Sequence, residues 1–412
     1  MHGKKTSAAG PMDSAERRAT AGLASIFGFR MLGLFLILPV FALYGTELSG
    51  ATPMLIGLAV GAYGLTQAFF QIPFGMLSDR IGRRPVIVFG LLLFALGSGV
   101  AAEADSIYGV IVGRALQGCG AIAAAVMALA ADLTRDSQRT KIMAFIGISV
   151  GVAFLAALIA GPAIAANAGL SGVFWATAGL ALIAVGLLGF VVPAGGEPVF
   201  QADVNARRNG LPVVLRNRDL LRLDFGVLVL HLILTASFMV LPIVLESRLG
   251  IDRAVHWWVY VPVMLLSVAG MAALISVGER RGVMHRVLAA MAVVVIAADL
   301  LLASFNDWLP LALLGLWLFF VGFNTLEASL PSLLTRFAPT GLRGTALGVY
   351  ATAQFLGAFL GGVLGGLIYG QFGVQGVFIF CALAAGVWLI SALGLRAPVN
   401  DPTASSTSLE TT

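Results

Sequence analysis

Gly75-Met76-Leu77-Ser78-Asp79-Arg80-Ile81-Gly82-Arg83-Arg84 sets one acid, three arginines and two glycines at the junction of two apolar runs, 53–77 and 84–102. Each run has about the ~20 residues that carry a helix across ~30 Å of hydrocarbon. The stretch therefore reads as a tight turn between two membrane-length helices. Gly75 permits close helix approach and Gly82 can take a positive φ. Asp79 lies near a helix end, where it can pair with arginines or an adjacent helix N-terminus. A plain basic loop accounts for the arginines but leaves both glycines and Asp79 without a reason.

The pattern of apolar runs continues in both directions. Of 412 residues, 59% are hydrophobic and only 11% charged, too few charges to solvate a water-facing surface. Strand-type alternation is absent, which disfavours a lipid-embedded barrel. Spans are predicted at 19–47, 53–77, 84–102, 106–132, 140–165, 169–192, 220–246, 255–278, 284–304, 308–335, 342–369 and 373–396. The expected fold is an all-α polytopic membrane protein, with twelve transmembrane helices in two pseudo-symmetric six-helix bundles. The expected domains are an N-terminal bundle over 1–192, a linker over 193–218, a C-terminal bundle over 219–396 and a disordered tail over 397–412. The polar first 18 residues lack the apolar core of a cleavable signal peptide. Cys119 and Cys381 sit deep in apolar runs, which argues against a disulfide framework and a zinc site.

The net charge of +5 is a matter of topology. Of 25 Lys and Arg, 21 fall on the side of the termini and linker, Arg248 and Arg253 on the other, and Arg30 and Arg114 within spans. That asymmetry places both termini in the cytoplasm and removes the main support for a nucleic-acid role. The chain also repeats itself. Asp79-Arg80-Ile81-Gly82 matches Glu279-Arg280-Arg281-Gly282, Leu133-Thr134-Arg135 matches Leu334-Thr335-Arg336, Arg30 matches His231, and Pro39 and Pro242 share a register. Two repeats with a site between them are the architecture of secondary transporters.

The Gly75–Arg84 turn resembles the signature loop of the Major Facilitator Superfamily, with its fixed positions filled. Arg114-Ala115-Leu116-Gln117-Gly118 resembles that superfamily's helix-4 motif. Leu32-Gly33 with Pro39 is similar to the helix-1 motif of its twelve-span drug:proton antiporter members. Gly161-Pro162 matches the centre of the antiporter motif, whose two following glycines are here Ala165 and Ala166, so the match is partial. The resemblance implies a conformational latch in which Gly75, Asp79, Arg80, Gly82, Arg83 and Arg84 act at the cytoplasmic helix ends, with Asp132 as partner in the outward-open state. It also implies that spans 1, 4, 7 and 10 line a central cavity. Longer relatives carry a soluble C-terminal domain for which the sequence after span 12 leaves no room.

Ions inside a bilayer cost at least ~2.5–3.5 kcal/mol on insertion scales and mark function by default. Glu327 in span 10 is the first candidate proton carrier, because desolvation disfavours a charged carboxylate and lets it exchange protons near neutral pH. His231 in span 7 is the second, and Asp299 in span 9 the third. His231 reads equally well as a packing histidine, and Asp299 as a hydrated acid near the outer interface. Arg30 and Arg114 are candidate cavity charges for an anionic substrate group, Arg114 equally a donor to backbone carbonyls. Gln67, Gln71, Asn324 and Gln354 are candidate substrate ligands or helix-joining amides. Phe35, Phe69, Phe238 and Tyr350 are candidate apolar lining.

The leading functional expectation is proton-coupled efflux of small amphipathic compounds by alternating access, in the bacterial inner membrane. The working unit is expected to be a monomer, driven by the proton gradient without a cofactor or metal. The rival is an importer or facilitator of one metabolite, and a remote alternative is a non-transporting sensor or scaffold. No Ser-His-Asp grouping, clustered metal ligands or nucleotide loop points to an enzyme.

Overall fold

The computed structural model describes residues 11–194, 204–339 and 341–395. The tail at 397–412 lies outside the described residues, as do 195–203 of the linker.

The first span opens with α1, Ser14–Phe35, on a capping box: the Glu16 amide donates to Asp13 at 2.8 Å and the Asp13 amide to Glu16 at 3.1 Å. The helix breaks over 36–40, around Pro39, and resumes as Phe41–Tyr44. α2, Pro53–Ile81, starts on a Thr52 cap with proline in its first turn, where a missing N–H costs nothing. Gly82, at φ 98°, turns the chain into α3, Arg83–Ala102. α4 is a broken helix, Ile107–Cys119 and Ala123–Asp132.

The helical stretch Arg139–Phe190 is 52 residues long, far beyond one crossing. It folds back at Gly169, at φ 65°, where the Gly172 Cβ position meets Ile164. This gives α5 (139–168) and α6 (170–190). The second half repeats the plan. α7, Arg218–Phe238, continues past a break as Leu241–Ile243, with Pro242 inside. α8 is Trp257–Arg280, α9 Met284–Ser304 and α10 Leu309–Phe337. Arg343–Leu393 folds back at Gly373, at φ 63°, into α11 (343–372) and α12 (374–393). Among the described residues this makes twelve helical spans, in two halves with matching breaks and matching glycine reversals. Part of the linker, expected only to be hydrophilic, forms a helix, Val204–Arg216, whose Val214 is fully buried and whose Gly210 packs on Leu342.

The spans divide into inner and outer positions. The apolar window of the α7 span is 83% buried, that of the α8 span only 22%, so α7 is a central helix and α8 a peripheral one. The two halves meet along α2 and α11 on small residues. A Cβ at Gly57, Gly61 or Gly64 would strike the backbone of Gly362, Phe359 or Phe355, the close approach that small residues permit in membranes.

That contact lies toward the end away from the termini, and two more features seal the same end. Phe154 of the first half, backed by Phe35 at 5.1 Å, meets Phe238 and Phe320 of the second, with ring centroids 6.1 and 6.4 Å away. Arg253 pairs with Glu47 across the halves at 3.3 Å, bonds Glu246 at 3.2 Å and covers the Tyr44 ring. Toward the other end, Gly147 and Gly151 on α5 and Gly344 and Gly348 on α11 have open space around them.

Candidate functional site

Three helices of the second half bring the titratable candidates together. α11 presses on α7 through Gly357, Gly361 and Gly365, whose Cβ positions would collide with Leu228, Leu232 and Ala236. This approach sets Gln354 Nε2 2.8 Å from His231 Nε2 and 3.3 Å from Glu327 Oε1 of α10. His231 Nδ1 lies 3.1 Å from the Val227 carbonyl, which only accepts, so Nδ1 carries the proton and Nε2 accepts from Gln354. Glu327 Oε2 is 3.8 Å from His231 Nε2 and has no hydrogen-bond partner. The Glu327 side chain is 36% exposed and His231 13%: the glutamate side chain is part-exposed with its Oε2 buried, and the imidazole sits behind it against the Phe323 ring.

This trio can bind a proton and register it mechanically. A proton on His231 Nε2 turns that atom from acceptor to donor. The Gln354 amide must then rotate, and the imidazolium faces the Glu327 carboxylate directly.

The first half holds its charges differently. Arg30 and Arg114 do not face the opening; they are 0% and 2% exposed. Arg30 Nη2 donates to Gln67 at 2.7 Å and to the Gly120 carbonyl at 3.0 Å, with Tyr63 and Phe94 flanking the guanidinium. Gln67 donates in turn to Gln71 at 2.8 Å. Arg114 donates to the Ala59 and Val60 carbonyls at 3.3 Å and to Gln117 at 2.7 Å, and Gln117 passes the chain to Ser98 at 2.7 Å. The helix-4 motif is thus a clamp between α2, α3 and α4. Gly118 belongs to it by lying against Thr66 and Tyr63. None of Arg30, Arg114 and Gln67 is open to a substrate in this conformation.

Other candidates have different surroundings. Asn324 joins α10 to α8 through Ser267 at 2.8 Å. Asp299 is fully buried with both carboxylate oxygens unpartnered, so it is not a hydrated interface group. Gly161 packs on the Leu36 carbonyl and Pro39, where α1 breaks. Phe69 is exposed at 71%, while Phe35 and Phe238 belong to the aromatic seal and Tyr350 is buried.

In the signature turn, Arg83 pairs with Asp79, donates to the Ser78 hydroxyl at 2.9 Å and reaches Asp132 at 3.4 Å. Arg84 donates to the Val192 and Pro193 carbonyls at 2.5 and 2.6 Å, tying the turn to the end of α6. Arg80 is exposed, and Gly75 touches Ala124.

Three groupings escape a reading of the sequence alone. Arg135 binds Glu16 through its amide and guanidinium at 2.7–3.0 Å. Arg253 crosses the halves. Asp224, in the second turn of α7, is 5% exposed with no hydrogen-bond partner on either oxygen. Its signal was an acid two helical turns before His231, masked by Arg222 beside it.

Two six-helix halves packed through glycines, with a titratable cluster where inner helices meet, define a membrane transporter of the two-bundle type. The chain belongs to the Major Facilitator Superfamily, whose model matches residues 23–362 and 276–411. It is 47% identical over 387 residues to the inner membrane transport protein YajR of Escherichia coli, covering 94% of this chain and 85% of that protein. It is 27% identical to the multidrug resistance protein MdtH of Aeromonas hydrophila, covering 84% and 86% of the two chains. Among solved structures, a bacterial homolog of the human lysosomal transporter Spinster, in an inward-facing and occupied conformation, superimposes with a TM-score of 0.77. That likeness, at 12% identity over 93% of this chain and 97% of the other, concerns the fold.

Proposed function

We propose that this chain is a proton-coupled exporter of small amphipathic compounds in the bacterial inner membrane, with both termini cytoplasmic. The observation that carries this reading is the Glu327–Gln354–His231 cluster, a part-exposed glutamate joined through an amide to a neutral imidazole. The seal at the far end and the open glycines near the termini support an inward-facing state, in which the cluster exchanges protons with the cytoplasm, although the Arg83–Asp132 tie that the family resemblance assigns to the outward-open state is also made. The lopsided distribution of Lys and Arg supports that orientation. In the alternating-access cycle, loading or losing this proton changes the relative free energies of the inward- and outward-facing states. The Asp79–Arg83–Asp132 ties form the latch between helix ends that the cycle makes and breaks. The multidrug relative supports the efflux direction. One chain holds both halves and is the working unit; the proton gradient is the energy source.

The test uses purified protein in proteoliposomes under an imposed pH gradient, with ethidium as the probe. Wild type is expected to move ethidium against a counterflow of protons, and Glu327→Gln to abolish both while remaining folded. Wild-type gradient dependence in Glu327→Gln removes Glu327 from the mechanism. Uptake of one polar metabolite, with no response to ethidium, replaces the exporter by an importer.

A further inference from the structure

We propose that Asp224 on α7 and Tyr350 on α11 form a second proton site, which relays protons between the His231–Gln354–Glu327 cluster and the solution at the end carrying the termini. The inference rests on the reading of that cluster as the proton-coupling centre and adds the path by which its proton arrives and leaves.

The register of two helices places the pair. Gly357 lies against Leu228, Gly361 against Leu232 and Gly365 against Ala236. The offset is the same at each contact, so α7 and α11 run parallel with their seams aligned. One step back along both seams sets Asp224 opposite Ala353. Tyr350 and Gln354 flank Ala353 on α11, one just below and one just above it. Asp224 therefore lies between Tyr350 and the amide that bridges His231 and Glu327.

The polar atoms along this line share a defect. Asp224 Oδ1 and Oδ2, the Tyr350 hydroxyl and Glu327 Oε2 are all buried without a hydrogen-bond partner. Asp224 and Tyr350 are each 5% exposed. Native structures rarely leave such groups unmet, and a run of them marks water or protons in place. An isolated ionised carboxylate in this setting is prohibitive, so the group is neutralised by a proton or reached by water.

Among the described residues no cation offers an alternative. Arg222 is committed to Asp219 at 3.1 Å and to the Gly394 carbonyl. Arg216, Arg218 and Arg343, on neighbouring helix ends, are exposed. From α12 the neighbouring side chain is Trp388, which packs on Gly226. The titratable groups on the adjoining helices are Tyr350 on α11 and Glu327 on α10. Gly348 and Gly344, further toward the termini on α11, have open space around them, which gives the line an exit.

The transfer balances without a co-reactant. The Glu327 carboxyl passes its proton through intervening water to the Asp224 carboxylate, and Asp224 then gives it to the Tyr350 oxygen as the Tyr350 hydroxyl gives its own proton to water on the side of the termini. Tyrosine ends as it began, and Asp224 is left as the carboxylate that takes the next proton.

Infrared difference spectroscopy of the protein in proteoliposomes, acid buffer minus alkaline, reads protonated carboxyls without needing a substrate. Asp224→Asn is expected to lose one titrating carboxyl component and to slow the loss of the Glu327 component after an alkaline jump. Asp224→Glu is expected to restore a component at a shifted frequency, and Tyr350→Phe to shift the Asp224 component. A wild-type spectrum in Asp224→Asn overturns the proposal, as does an unshifted component in Tyr350→Phe, which needs no change of charge to fold. If Glu327→Gln leaves the spectrum unaltered while Asp224→Asn removes a component, the second site stands and the reading of Glu327 fails.

Discussion

The two halves share an architecture and differ in how they bury charge. In the first half, Arg114 is met by two carbonyls and Gln117, and Arg30 by Gln67 and the Gly120 carbonyl through Nη2, its Nε and Nη1 lying against the Tyr63 and Phe94 rings without a hydrogen-bond partner. In the second half Asp224 and Asp299 are buried acids with both oxygens unpartnered, and the part-exposed Glu327 keeps one oxygen without a partner. The offset that pairs Arg30 with His231 also pairs Ser98 with Asp299. Ser98 receives a bond from Gln117 and gives one to the Phe94 carbonyl, whereas Asp299 receives none. A guanidinium cannot lose its proton at useful pH, and a carboxyl or imidazole can. Duplication has thus reproduced the frame while separating its tasks: one half is fastened by fixed cations, the other carries groups whose charge can change.

The largest expected effect follows from the fastening. Arg114→Ala strands Gln117 and leaves a cavity beside Tyr63 and Ser98, so we expect a stability loss of about 3 kcal/mol, read as thermal unfolding in detergent. An unaltered unfolding profile would break the contrast at its first term. The second half should respond in the opposite sense. Asp299 has no bond to lose, and replacing an unpartnered buried acid with an apolar residue removes a desolvation penalty. Asp299→Leu is expected to unfold within about 1 kcal/mol of wild type or above it. A large loss of stability there would mean that Asp299 holds a partner as Arg114 does.

Much of the frame was legible because bilayer thickness dictates segment length. The predicted runs 84–102 and 284–304 coincide almost residue for residue with α3 and α9. The breaks in spans 1 and 7 were not read, since apolar residues continue through them, although Pro39 and Pro242 mark both. Glu327, His231 and Gln354 could be singled out as polar residues in apolar runs. Which way Arg30 and Arg114 point could not be read, because a helix apolar on every side carries no period from which to assign a face. Their partners are largely backbone carbonyls, which leave no trace in a sequence. Asp224 was hidden for a related reason: with Arg222 two residues away it reads as part of the loop's charge, and only the α7–α11 register shows it turned inward.

The smallest expected effect sharpens the contrast at the helix ends. The same offset that relates Arg30 to His231 relates Glu16 to Asn217 and Arg135 to Arg336. In the first half, the Arg135 guanidinium and amide donate to Glu16 and hold its carboxyl at about 2, below the usual 4.5. In the second half, Asn217 instead caps α7 by accepting from the Asp219 and Leu220 amides, and Arg336 is exposed. A carboxyl whose folded value is depressed stabilises fully above its unfolded value and loses that contribution as pH falls through the folded one. The stability difference between wild type and Glu16→Gln should therefore be constant from neutral pH down to about 4.5, shrink below it, and vanish near 2. Asn217→Ala, which removes a neutral cap, should cost the same throughout that window, because no proton is exchanged. Parallel denaturation series on the two variants measure both curves. A flat Glu16→Gln difference would show that Arg135 does not discriminate between the charged and neutral acid, and a sloping Asn217→Ala difference would show that the second half too has a titrating group at this end.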